Sequence, residues 1–185
     1  VGGSVEGLTA ALKNEKNINL YNGQASFTDN KTVQINGENI TADKIFINVG
    51  GRARVPQEFE KVDYLTNEGI LELTELPEHL VIVGGSYIGL EFGQMFKRFG
   101  SKVTIIEKGE RLIAREDEDV SSNIQKILED EGINFRMNAN CLGAKQDGKN
   151  QIKVQLDCDE TEPNEVNGSH LLLAVGRVSN ADTLN

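Results

Sequence analysis

The spacing of apolar residues changes its period twice along this chain. Over residues 4–15 (SVEGLTAALKNE), Val5, Leu8, Ala11 and Leu12 recur at helical spacing, and Ser4 stands where an N-cap would. Residues 18–49 then break into short runs divided by Asn22-Gly23, Asp29-Asn30 and Asn36-Gly37. That punctuation predicts strands at 18–21, 25–28, 32–35, 39–42 and 45–49, a β-meander closed by the apolar run KIFINV. Residues 50–66 carry no period and read as a linker. A short helix is expected over 67–73, and Pro77 resets the chain. From Leu80 strands and helices alternate: 80–83, 87–99, 102–107, 117–131 and 133–136. Short connections between them predict a parallel sheet with crossover helices. Beyond residue 140, strands at 141–146 and 151–156 can pair across Asp147-Gly148. A run over 166–175 ends in LLLAVG, apolar enough to be buried on both faces. The expected fold class is α/β: a Rossmann-like doubly wound parallel sheet with an antiparallel β-meander, and a second, β-rich part before residue 50.

Composition narrows this picture. With 185 residues and 38% apolar content, the chain has material for a real core, which excludes global disorder. No apolar run approaches the roughly 20 residues that span a bilayer, and VGGSVEGLTA lacks the basic and apolar regions of a secretory leader. Two cysteines cannot make a disulfide scaffold, so a cytoplasmic setting is expected. Nineteen basic against 29 acidic residues give a net charge of −10 with no basic stripe, which argues against nucleic acid and anionic membrane as partners. The first residue is Val, as in a processed chain or a piece of a longer one.

The chemistry concentrates in residues 80–111. An apolar strand runs into Gly84-Gly85-Ser86-Tyr87-Ile88-Gly89, and a helix follows with Ile88, Phe92, Met95, Phe96 and Phe99 on one face. Gly100 then stops that helix, and a second apolar strand ends at Glu107. In a dinucleotide site Gly84 permits the tight turn, the Ser86 position lets backbone approach a pyrophosphate, and Gly89 lets the helix pack on the sheet. The helix N-terminus offers free N–H groups to phosphate, and a carboxylate at Glu107 suits the ribose hydroxyls. Ser86 departs from the G-x-G-x-x-G pattern. The alternative is a set of structural glycines in a doubly wound sheet. Glu107 would repel a 2′-phosphate and so favours NAD over NADP. Lys108, Arg111 and Arg115 either moderate this or form a solvated loop.

These residues resemble the flavin-dependent pyridine nucleotide–disulfide oxidoreductases. GGSYIGLEFGQMFKRFGSKVTIIE is similar to that family's NAD(P) fingerprint, KIFINVGGRARVP to the exit motif of its first domain, and LLLAVGRVSNADTL to the segment closing its NAD domain. YIGLEFGQMFKRFG with REDEDV is similar to the mercuric reductase branch. The resemblance implies that Tyr87 covers the nicotinamide pocket, that Glu91 is the glutamate that pairs with a lysine beside the flavin, and that Gly176, with its neighbour Arg177, lies against the nucleotide. It also implies a partial FAD-domain segment at 1–50, a linker at 51–66, an NAD(P)-binding domain at 67–176 and a return segment at 177–185. The intact enzyme would pass hydride from NADH to FAD and on to a disulfide or similar acceptor, as a homodimer. This chain would then be an excised central piece, catalytically incomplete. Its missing partners would be the FAD and dimerisation domains.

Several elements of a complete enzyme are missing from the sequence. There is no second G-x-G-x-x-G, no C-x4-C pair and no vicinal cysteine pair. Cys141 and Cys158 have no basic neighbour to lower a thiol pKa and read as structural or incidental. His79 and His170 stand apart, so neither a metal site nor a catalytic dyad is expected. Two alternatives remain open: a self-contained NAD-dependent dehydrogenase and a non-catalytic NAD-sensing module.

Overall fold

The structure, a computed structural model, describes residues 2–148, 151–157 and 164–185. Cys158 therefore lies outside the described residues. The chain divides into two units, residues 1–51 with 179–185 and residues 52–178. The strands β4 (Gly51–Ala53) and β12 (Arg177–Ser179) lie where it passes from one to the other.

In the first unit, helix α1 (Gly2–Asn14) precedes an antiparallel sheet of β1 (Ala25–Asp29), β2 (Thr32–Ile35) and β3 (Glu38–Thr41) in that order. Asn36 and Gly37 join β2 to β3 with φ of 51° and 85°, the two positive values a type I′ hairpin turn requires. Three expectations fail here. Ser4 lies inside α1 and does not cap it. Residues 18–21 and 45–49 are irregular, not strands. Phe46 is 89% exposed, and the unit's sheet ends at β3. An apolar run becomes a strand only when another strand pairs with it and a layer covers it.

The second unit is built on a parallel sheet of β5 (His79–Val83), β6 (Lys102–Ile106), β7 (Asn134–Arg136) and β11 (His170–Leu173), in the order β11-β5-β6-β7. Helix α2 (Tyr87–Phe99) crosses from β5 to β6, and α3 (Glu118–Asp130) from β6 to β7. Period-two alternation splits the strands between two cores. Leu80, Ile82, Val103, Ile105 and Leu172 pack with Leu90 and Phe96 of α2 and Leu128 of α3. Val81, Val83, Ile106, Leu171 and Leu173 face the other way, onto a second, antiparallel sheet. That sheet comprises β8 (Asn140–Gln146), β9 (Ile152–Asp157) and β10 (Glu165–Gly168), which contributes Ile152, Val154, Leu156 and Val166. So helices cover one face of the parallel sheet and strands the other. The apolar runs of β5 and β11 are continuous because both faces are buried.

The run over 166–175 is two strands in two sheets. A Cβ at Gly168 would lie 3.0 Å from the His79 carbonyl oxygen, so glycine marks the crossing between them. The expected helix over 67–73 is a single 3-10 turn, Gly69–Glu72. The segment expected as a linker instead adds Phe59 and Val62 to the core. Gly100 ends α2 as expected, at φ 111°, its N–H bonded to the Lys97 carbonyl. At the end of α3, Glu131 takes both Nε and Nη2 of Arg98, at 3.0 and 2.7 Å, which joins the two helices. No helix of the described residues is long and apolar enough to cross a membrane.

Away from the glycine-rich turn, the strand starts form a polar knot. The Ser169 hydroxyl bonds the His79 carbonyl at 3.1 Å, and His79 Nε2 lies 2.9 Å from Thr104 Oγ1. Burial lowers the pKa of both His79 and His170. For His79 the Lys102 charge adds to this and Glu78 opposes it; for His170 Glu75 opposes it. A lowered histidine pKa contributes stability above the unfolded value, about 6.5, and loses it as pH falls. The melting temperature of wild type should therefore drop more steeply below pH 6.5 than that of the His79→Gln/His170→Gln double variant. Parallel curves between pH 7.5 and 5.5, followed by circular dichroism, would refute this.

Candidate nucleotide-binding site

The order β11-β5-β6-β7 creates a topological switch point. The chain leaves β5 toward β6 on one side and returns at β11 on the other. Ligands in such sheets sit beyond the strand C-termini at that crevice. A cleft of about 920 Å³ lies there, within the second unit.

Its floor is the turn from β5 into α2. Gly84 has φ 113°, and a Cβ on it would collide with the Ala174 carbonyl oxygen and lie 2.7 Å from the Ala174 carbonyl carbon. Only glycine lets the ends of β5 and β11 come this close. Gly89 does the same for the helix, since a Cβ there would strike the Gly84 carbonyl oxygen and crowd Ile82 Cγ2 at 3.3 Å. One turn further, a Cβ on Gly93 would sit 2.9 Å from Ile105 Cδ1. Gly93 went unnoticed in the sequence; its spacing of four from Gly89 is the signal that finds it. The first intrahelical bond of α2 runs from the Leu90 N–H to the Ser86 carbonyl at 3.0 Å. The amides of Tyr87, Ile88 and Gly89 precede it and have no intrahelical acceptor. Ser86 is the N-cap residue, but its side chain caps no amide.

Glu107 occupies the end of β6. Its Oε2 accepts the Gly85 N–H at 2.7 Å and its Oε1 the Gly109 N–H at 2.8 Å. Both oxygens are thus held by amides, with lone pairs left over for ribose hydroxyls. The carboxylate is close enough that a Cβ on Gly85 would lie 3.1 Å from Oε2.

Of the residues expected to form the site, Gly84, Gly85, Ser86, Tyr87, Ile88, Glu107, Lys108, Gly176 and Arg177 all line this cleft. Gly89 lies buried beneath it, and Glu91 is exposed and outside the lining. Glu91 stands in the second turn of α2, one turn beyond the cleft-lining Tyr87 and Ile88 on the same helix face. The sequence did not single out Arg54, Glu58 or Phe59, because their segment has no periodicity. The Arg54 N–H donates to the Gly176 carbonyl at 3.0 Å, which brings that segment to the rim. Five cationic side chains (Arg54, Lys108, Arg111, Arg115, Arg177) and three acidic ones (Glu58, Glu107, Glu116) line the cleft. That reverses the balance of the whole chain and suits an anionic ligand.

Cys141 also faces the cleft. Burial, with help from Glu107 and Glu58, pushes its thiol up to about 12. It stays protonated at neutral pH and is no nucleophile there. Among the described residues, no group of three histidine, cysteine or acidic side chains could hold a metal.

A family model described as pyridine nucleotide-disulphide oxidoreductase matches residues 3–185. The mercuric reductase of Staphylococcus aureus is 35% identical, over 97% of this chain and 34% of its own length. The dihydrolipoyl dehydrogenase of Acholeplasma laidlawii is 31% identical, over 95% of this chain and 52% of its own. Among solved structures, the HOCl-induced flavoprotein disulfide reductase RclA from Escherichia coli superimposes with a TM-score of 0.84 at 36% identity, covering 97% of this chain and 41% of that one. The chain spans about a third of the length of the first curated relatives it matches.

Proposed function

We propose, from the premise that this chain belongs to the pyridine nucleotide-disulphide oxidoreductase family, that residues 52–178 bind NADH for a flavin-dependent reductase. The family consists of enzymes that use FAD and a pyridine nucleotide, and its members are typically homodimers. One observation carries the reading: a glycine cradle that no Cβ can enter, with the Glu107 carboxylate clamped beneath it at the switch point. In this reading the amides of Ser86, Tyr87 and Ile88 take the pyrophosphate, aided by Lys108. Glu107 takes the adenine ribose, and Tyr87, Gly176 and Arg177 lie toward the nicotinamide. A fixed carboxylate at the ribose favours NADH over NADPH by charge repulsion.

The unit of residues 1–51 and 179–185 would be part of the flavin domain. Its described glycines at 37 and 50 open on empty space, and none sits in a strand-to-helix turn. The residues present therefore do not make a pyrophosphate cradle for FAD. In the intact homodimeric enzyme, hydride from NADH would reach FAD and then a disulfide or similar acceptor. A cytoplasmic setting fits the cysteine content.

Fluorescence titration at matched salt is the test. NADH should bind without being oxidised, and about tenfold more tightly than NADPH, a difference of ~1.4 kcal/mol. Failure to bind NADH would sink the reading. Turnover by this chain alone would favour the self-contained dehydrogenase.

A further inference from the structure

A hydroxyl outside the glycine-rich motif reaches the anion-facing end of α2 through two peptide units. Ser121, in the first turns of α3, is 1% exposed. Its Oγ–H donates to the Leu112 carbonyl at 2.7 Å. The Leu112 C=O and the Ile113 N–H are opposite ends of one peptide unit. That N–H donates to the Gly85 carbonyl at 3.0 Å. The Gly85 C=O and the Ser86 N–H are in turn opposite ends of the next unit. Both units are trans, since the described chain has no cis bond. In a trans peptide the C=O and N–H point in opposite directions. A line of donors therefore runs from the Ser121 hydroxyl to the Ser86 N–H, at a residue that lines the cleft.

Ile113 makes this line possible at a cost. Its φ is 38°, in the left-handed region that β-branched residues avoid. Such a conformation persists only where the surroundings over-determine it. Here the fixings are the Ser121 bond on one side, the Gly85 bond on the other, and the fully buried Leu112 side chain between them. Leu112 is packed so tightly on the turn that a Cβ on Gly85 would lie 2.7 Å from its Cδ2. Gly85 is thus held on both sides: Glu107 fixes the 84–85 peptide at the Gly85 N–H, and Ile113 fixes the 85–86 peptide at the Gly85 C=O. Hydrogen bonds in series also polarise one another, so the last N–H becomes a better donor to an anion.

We infer that Ser121 is a positioning residue for the pyrophosphate, acting through the 112–113 and 85–86 peptide units to aim the Ser86 N–H. This rests on the nucleotide reading proposed above. Ser121 touches no ligand, so its effect should follow the phosphates and spare the adenosine half.

The test compares wild type with Ser121→Ala and Ser121→Thr, using ADP-ribose and adenosine as ligands and amide hydrogen exchange as a ligand-free measurement. In Ser121→Ala, the Ile113 amide should exchange at least about tenfold faster, because its peptide unit has lost an anchor. ADP-ribose should bind about fivefold more weakly and adenosine within about twofold of wild type, since one donor to a charged group is misaimed. Ser121→Thr keeps the hydroxyl and should restore the ADP-ribose affinity. Unchanged Ile113 exchange, or equal proportional losses for both ligands, would overturn the inference and leave Ser121 a purely structural contact. If wild type binds no ADP-ribose, the nucleotide reading and the ligand half of this inference both fall. The exchange rates then still decide whether the relay itself exists. If Ser121→Thr does not fold, the Ser121→Ala exchange and affinity ratios decide.

Discussion

Gly84→Ala should cost on the order of 2–5 kcal/mol of stability and abolish nucleotide binding. Two penalties add. At φ 113° an alanine is held far from its allowed regions, which costs roughly 1–2 kcal/mol by itself. The new Cβ must also displace the Ala174 carbonyl, which belongs to the neighbouring strand end and cannot move without opening the β5–β11 ladder. Overpacking of this kind adds about 1–3 kcal/mol. For a chain of this size the sum lowers the melting temperature by roughly 4–20 °C. Gly148→Ala is the control, with φ 80° and nothing within 4 Å of its Cβ. It carries the backbone penalty alone and should melt well above Gly84→Ala. Equal melting temperatures for the two variants would show that the Ala174 contact does not constrain the turn.

Replacing Glu107 should disable the site nearly as completely with glutamine as with alanine. The carboxylate accepts one amide at each oxygen, Gly85 at Oε2 and Gly109 at Oε1. Glutamine has the same shape but only one oxygen, so its NH2 must face an N–H donor. Each hydrogen bond to a charged group is worth about 1.5–3 kcal/mol, and a buried donor left without a partner costs about as much. NADH affinity should fall at least about tenfold in both variants. NADPH should lose less, because the repulsion of its 2′-phosphate disappears with the charge, and the preference for NADH should narrow. Paired titrations of wild type, Glu107→Gln and Glu107→Ala measure this. A glutamine variant that binds NADH like wild type would mean that the two amides do not need the second oxygen.

Much of the second unit was legible because its signals are local. The run from residue 80 to residue 107 combines continuous apolar strands, a helix of period 3.6, a glycine stop and a terminal acid, and α2 occupies the residues the pattern predicts, Tyr87–Phe99. The Asn36-Gly37 turn and the 141–146/151–156 hairpin were readable for the same reason, since turn chemistry needs only neighbouring residues. The segment 45–49 misled because its apolarity reports a demand for burial and says nothing of what covers it. Glu91, which the resemblance pairs with a lysine beside the flavin, lies outside the nucleotide cleft, and that placement bears on the nucleotide alone.

The sequence by itself determined the strand–glycine turn–helix–strand–acid unit and the hairpin turns. These depend on φ preferences, side-chain periodicity and charge, which act over a few residues. Only the tertiary structure decided that the 51–66 segment packs Phe59 into the core and brings Arg54 to the rim. It also decided that strands cover the second face of the parallel sheet, and that a serine in α3 reaches the glycine turn through Leu112 and Ile113. Those are contacts between residues far apart in the chain. They exist because close packing leaves one arrangement in which every buried carbonyl and amide finds a partner, a condition that no short window of sequence contains.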